Sequence, residues 1–203
     1  MTRQPQSSAP GSGWPHQWNH QRRRRCRWVA GPAIDYPLAH TAFNRHYRNY
    51  FGKALPFEPR VREMLDGLVG LGIPLGVITN RDREFFSHEL ANVEGDDWSG
   101  CFQTTVCGDD TARRKPPPDQ LQQAVSNLAA EVGADVWYVG DSTTDTIAAK
   151  TAGVTSVFFN GAQWDQPWLN TIFPGSERYP FKPDVVVNDF AEFWALVLAC
   201  SRK

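Results

Sequence analysis

From Pro56 onward, short apolar runs rich in β-branched residues alternate with amphipathic stretches, and this alternation constrains the fold more than any other feature of the chain. The runs Pro74 to Ile78, Phe102 to Val106, Val136 to Val139, Thr155 to Phe159 and Val185 to Val187 have the length and composition of buried strands. Before the first of them, Val61, Met64, Leu65, Leu68 and Val69 recur at helical spacing and stop at Gly70 or Gly72. Further helices are expected over Arg83 to Ala91, Asp119 to Val132, Ile147 to Ala152 with Gly153 as the stop, and Ala191 to Cys200. Strands alternating with helices require right-handed crossovers. The expected fold is therefore α/β, with a doubly wound, mainly parallel Rossmann-like sheet. Residues 161–183 interrupt the rhythm, carrying Trp164, Trp168, Phe173 and Phe181 without a clear period. A connection of that length is either functional or packs its aromatics on the sheet edge.

At 203 residues the chain suits one domain with a full core. No run approaches the roughly 18 apolar residues that a membrane-spanning helix needs. Cys26, Cys101, Cys107 and Cys200 are scattered and form no Cys-x-x-Cys pair, which favours a reducing, cytoplasmic setting without structural zinc. The net charge of −1 conceals an asymmetry, because residues 1–40 carry six arginines against Asp35 and the remainder is correspondingly acidic. Residues 1–32 have no period of either kind and are expected to be a disordered basic segment. An arginine-rich arm with tryptophans is one way to bind nucleic acid. The acidic remainder offers no matching groove, so nucleic acid is not the expected partner. Nothing in the sequence sets an oligomeric state.

Three segments concentrate chemistry where strands end. In Trp137-Tyr-Val-Gly140-Asp141-Ser-Thr-Thr-Asp145, an apolar run delivers two carboxylates at the start of a helix. Such a pair makes a hard-cation site at the carboxyl edge of an α/β sheet, although Asp141 or Ser142 could equally cap the helix. In Gly76-Val-Ile-Thr79-Asn80, a buried strand ends in a hydroxyl and an amide able to donate to a phosphoryl oxygen, or to cap the next helix. In Lys115-Pro116-Pro117-Pro118-Asp119, the prolines stiffen a loop and restrict where Lys115 can point. A lysine fixed beside carboxylates is suited to neutralising a phosphoryl group.

Taken in chain order, the hydroxyl, the Lys-Pro and the Gly-Asp-x-x-x-Asp resemble the motifs of the haloacid dehalogenase-like hydrolase superfamily. The likeness is to its phosphoglycolate phosphatase-like branch and covers about residues 33–203. The resemblance implies an α/β core over residues 56–203 and a remnant of a helical cap over residues 33–55. It also implies a Mg²⁺-dependent phosphatase acting on small phosphate monoesters through an aspartyl-phosphate. By position, Thr79 and Lys115 are the catalytic residues present, Thr79, Asn80 and Lys115 bind the substrate phosphate, and Asp141 and Asp145 serve the metal. Pro117 stands where relatives often carry histidine.

One motif is missing. The family pattern opens with an apolar strand ending in Asp-x-Asp, but the only aspartates before Thr79 are Asp35 and Asp66. Asp66 falls inside an amphipathic helix, and Asp35 follows a run spoiled as a central strand by Gly31 and Pro32. The sequence therefore joins the family pattern after its first motif and is expected to be truncated and inactive as it stands. The alternative is a non-catalytic relative that binds a phosphorylated ligand or a protein partner. Either way, loss of a central strand predicts a gap in the sheet, with unpaired backbone on both sides, unless residues 26–34 or a partner fill it.

Overall fold

The computed structural model describes residues 35–53, 55–56, 60–177 and 179–201. The expected basic segment 1–32 lies outside them. The chain divides between Thr41 and Ala42, and the two parts are taken separately. In the first, Asp35 is exposed and its Oδ1 accepts the Leu38 N–H at 3.1 Å, which makes it the cap of helix α1 (Tyr36–Tyr47) rather than a buried acid.

The second part contains α2 (Val61–Gly70), β1 (Gly76–Ile78), α3 (Arg83–Leu90), β2 (Thr104–Val106), α4 (Asp119–Asn127) and β3 (Trp137–Gly140). It continues through α5 (Thr143–Ala152), β4 (Thr155–Phe159), α6 (Gln166–Ile172), β5 (Val185–Val187) and α7 (Phe190–Cys200). All strand pairings are parallel. Side chains alternate between two helical layers, as a pleated strand requires. Val157 and Trp137 pack with Leu68 of α2 and Phe193 and Val197 of α7. Tyr138 and Ile78 pack with Leu121 of α4 and Ala149 and Ala152 of α5. Helices therefore cover both faces, and the doubly wound arrangement expected from the alternation is present.

The sheet is split. β1 pairs with β2, β3 with β4, and β4 with β5, but among the described residues no ladder joins β1 to β3. The carbonyl of Leu75 accepts from Gln103, and the N–H of Thr79 donates to Val106, so these residues turn their backbone toward β2. Alternation along a parallel strand then points the peptide groups of Gly76 and Ile78 the other way. The same reasoning, from the Val136 carbonyl that accepts from Thr155, turns those of Trp137 and Val139 away from β4. Between the two edges lies a largely apolar cavity of about 840 Å³, lined by both strands and by Leu128 and Phe193. Val139 is 40% exposed, whereas Val157, beside it on β4, is buried. The interior strands of parallel sheets are ordinarily buried on both faces.

Three expectations need correction. The helix expected over Asp119 to Val132 ends at Asn127, because Ala129 adopts a left-handed φ of 50°. The Ala130 N–H returns to Val125 and the Ala129 N–H to Ser126, a Schellman closure that uses alanine where glycine is usual. Residues 161–183 are not wholly irregular, since α6 lies within them, started by Asp165 accepting from Trp168 N at 2.9 Å. Its residues Leu169 and Phe173 pack on Phe158 of β4, an interior strand, so this segment covers a face rather than an edge. Finally, Leu38, Phe43, Tyr47, Tyr50 and Phe51 are spaced to fall largely on one helical face, which predicts that they are buried together, yet Leu38 and Phe43 of α1 are exposed.

Candidate active site

The carboxyl ends of β1 and β3 bring the expected residues together. Gly140 ends β3, and a Cβ there would lie 2.4 Å from the Asp145 Cβ. Only glycine lets the first turn of α5 fold back against the strand so closely. Ser142 then caps α5 in a reciprocal box: its hydroxyl accepts from Asp145 N at 3.4 Å, and Asp145 Oδ2 accepts from Ser142 N at 3.1 Å and from its hydroxyl at 2.6 Å. Gly153, at φ 82°, closes the same helix.

Lys115 reaches this acid from the opposite side. Its ammonium donates to Asp145 Oδ1 at 2.7 Å and to the Tyr138 hydroxyl at 2.7 Å, and Tyr138 donates to the same carboxylate oxygen at 2.9 Å. Lys115 and Asp145 side chains are only 10% and 9% exposed. The ammonium also lies 3.4 Å from the Ile78 carbonyl, so it bridges the ends of the two separated sheets. Burial raises the Asp145 carboxyl, but the charge of Lys115 and hydrogen bonds from Lys115, Ser142 and Tyr138 outweigh it and hold Asp145 below the ordinary carboxylate value. Burial first, then the charge of Asp145, pushes the Tyr138 hydroxyl far above an ordinary phenol, so it stays protonated as a donor.

The loop behind Lys115 is clamped. The Asn80 side chain accepts from Lys115 N at 2.9 Å and donates to Lys115 O at 3.1 Å, and Gln120 accepts from the same N–H at 3.1 Å while donating to the Thr79 carbonyl at 2.8 Å. Arg114 adds bonds of 2.6 Å to the Asn80 carbonyl and to Asp82. The Lys115–Pro116 peptide is cis. Asn80 thus spends its amide on positioning Lys115. The Thr79 hydroxyl accepts from Arg81 N at 3.2 Å, which leaves its own proton to donate.

Thr79, Asn80, Lys115 and Asp145 are therefore linked in one network, with Asp141 four residues before Asp145 in the sequence and exposed to solvent. Asp141 makes no hydrogen bond or ion pair with the described residues, so its carboxylate is open. Among the described residues, no three His, Cys, Asp or Glu side chains converge as a metal cluster. Asp66 is exposed on α2 and accepts from Arg62 at 3.0 Å. Tyr138 and Gln120 are components that the motif reading missed. Tyr138 lies in an apolar run and Gln120 in an amphipathic helix, where pattern alone assigns both to packing.

A doubly wound α/β core here gathers a hydroxyl, a clamped lysine and acids at its strand ends, the edge where open α/β sheets bind their ligands. A family profile described as Haloacid dehalogenase-like hydrolase matches residues 22–159, and the chain belongs to that family. It is 31% identical over 161 residues to a phosphoglycolate phosphatase of Agrobacterium fabrum (strain C58 / ATCC 33970), covering 79% of this chain and 63% of the relative. It is 30% identical over 149 residues to the Escherichia coli (strain K12) phosphoglycolate phosphatase, covering 69% and 58%. The chain thus spans about three-fifths of the length of these curated relatives. Among solved structures, a phosphonoacetaldehyde hydrolase-like protein from Oleispira antarctica superposes with a TM-score of 0.66 at 16% identity, covering 86% of this chain and 67% of that one. A hydrolase from Pseudomonas syringae superposes at 0.65 with 18% identity, covering 82% and 71%. Likeness at that identity concerns the fold. No helix among the described residues is long and apolar enough to cross a membrane.

Proposed function

We propose that this chain carries the phosphate-binding and cation-binding part of a Mg²⁺-dependent phosphatase for small phosphate monoesters, without the aspartate that attacks phosphorus. The observation that carries this reading is the clamped Lys115, whose ammonium lies at the ends of β1 and β3 against the Ile78 carbonyl and the Asp145 carboxylate. Thr79 donates its hydroxyl proton to a phosphoryl oxygen, and Lys115 supplies a fixed positive charge to the same group. Mg²⁺ is commonly held by one or two carboxylates together with substrate phosphate and water, a donor set that fits Asp141 as direct ligand and Asp145 as the supporting acid. When bound, the ion offsets the repulsion between a phosphate dianion and the acids. The names of the relatives make phosphoglycolate the first ester to try.

Attack on phosphorus needs a further carboxylate. Asp35 is engaged as the cap of α1 and Asp66 is paired with Arg62, so neither supplies it. Calorimetric titration with orthophosphate is expected to show Mg²⁺-dependent binding, weakened at least tenfold in Lys115→Met and Asp141→Asn, with no turnover of p-nitrophenyl phosphate. Binding indifferent to both substitutions would reject the site. Turnover abolished by Asp141→Asn would reject the missing nucleophile.

A further inference from the structure

Asn44, Tyr47 and Arg48 are spaced i, i+3 and i+4, so they share one face at the end of α1 and in the turn that follows. That face meets the two ends of α3 through polar contacts. Arg48 pairs with Glu84 at 2.8 Å, an exposed pair that contributes little. The other two contacts lie deeper. Tyr47 donates to Glu89, which is only 7% exposed, and the same carboxylate takes the Arg81 guanidinium. That guanidinium also lies 5.1 Å over the Tyr47 ring. A buried charge is tolerated only with such partners, so Glu89 pins this end of α1 against α3.

Asn44 begins a chain of bonds that ends at the phosphate site. Its amide donates to Asp82 Oδ2 at 2.8 Å, and Asp82 Oδ1 accepts from Arg114 at 2.6 Å. The other arm of the Arg114 guanidinium donates to the Asn80 carbonyl at 2.6 Å. The Asn80 side chain then brackets the Lys115 backbone, accepting from its N–H at 2.9 Å and donating to its carbonyl at 3.1 Å. Two features stiffen the chain. The Asp82 and Arg114 side chains are 14% and 28% exposed, so water competes poorly for them. A Cβ on Gly108 would lie 2.3 Å from the Asn80 oxygen and 2.9 Å from Arg114 Cζ, so the guanidinium is wedged where no side chain fits. With its carbonyl and its side chain both held, Asn80 cannot turn without moving Lys115.

We propose that Asn44 is a positioning residue for Lys115: through Asp82, Arg114 and Asn80, the docking of α1 on α3 sets where the ammonium stands. That this lysine serves a phosphoryl group rests on the phosphatase reading, whereas the linkage stands on the bonds themselves. Asn44 acts on a bound phosphate only through its partners.

The test uses the full-length ¹⁵N-labelled chain. It reads the hydrogen exchange of the Lys115 amide, which donates to Asn80 and Gln120, beside Mg²⁺-dependent orthophosphate binding. Asn44→Asp sets a second carboxylate against Asp82. It is expected to speed the Lys115 amide and to weaken orthophosphate binding, each by about tenfold, the scale of one hydrogen bond to a charged group. Adding Asp82→Asn restores the bond with donor and acceptor exchanged, and both readouts should return to within about threefold of the natural chain. The amide of Val157, on the buried strand β4, should respond to neither change. The proposal is overturned if Asn44→Asp leaves the Lys115 amide as it was, or leaves orthophosphate binding as it was where the natural chain shows it. It is equally overturned if the exchanged pair fails to restore the amide, or if Val157 speeds in parallel, which would make Asn44 an ordinary contributor to stability. A natural chain that binds no orthophosphate rejects the phosphatase reading alone, because the Lys115 amide reports the linkage without any ligand.

Discussion

Asp145 shows how much one side chain can be asked to do. Its Oδ1 accepts from Lys115 and Tyr138 and its Oδ2 from Ser142, so it is a cap, half of a buried ion pair and a candidate support for a cation. Replacing Lys115 by methionine leaves that acid buried without its counter-charge, a change that typically costs about 3 kcal/mol. The loss is measurable as a lower urea midpoint. Because the folded Asp145 sits below the ordinary carboxylate value, its contribution to stability is present above about pH 4 and is lost as pH falls through the lowered folded value. A plot of unfolding free energy against pH should therefore fall more steeply below pH 4 in the natural chain than in Asp145→Asn, which cannot titrate. Tyr138→Phe removes one donor to the acid and is expected to cost about 1 kcal/mol. Thr79, Lys115, Asp141 and Asp145 were legible in the sequence because each stands at a strand end or in a stiffened loop where polar residues are conspicuous. Tyr138 and Gln120 were not, because a hydroxyl or amide within an apolar pattern leaves no trace of where it points.

At the scale of elements, the strand–turn–helix unit from β3 to α5 is the most demanding. Gly140→Ala would set a methyl group 2.4 Å from the Asp145 Cβ. Backbone movement there should destabilise the chain by about 2 kcal/mol and displace both acids, so the same variant should lose Mg²⁺-dependent phosphate binding. The end of α4 carries a strain that can be relieved. Ala129 is exposed and left-handed, and Ala129→Gly is expected to raise the melting temperature, by relieving about 1 kcal/mol. That residue also explains why the sequence predicted too long a helix: alanine is the best helix former, and nothing local marks it as a terminator. α6 escaped for the opposite reason. It spans only Gln166–Ile172, too short for a period to emerge, and its Asp165 cap with Pro167 just inside was the only readable signal.

For the whole molecule, the alternation of strands and helices predicted the layers, and among the described residues no ladder joins β1 to β3. What could not be read was that the two halves still stand beside each other, because that depends on helices packing across the break. Ile78 of β1 and Ala149 of α5 share one cluster, and Leu75 beside β1 reaches the cluster of α7. The apolar cavity between β1 and β3 should bind the dye ANS in native buffer. The split also bears on cooperativity. A continuous sheet couples its strands through hydrogen bonds, so local opening at one edge is felt at the other. Here β1, β2 and α3 are joined to β3, β4 and β5 by side-chain packing and one lysine, which makes each half a candidate foldon with its own opening free energy. Under native conditions, hydrogen exchange in mild denaturant should resolve two subglobal openings where an unbroken domain of this size would show one.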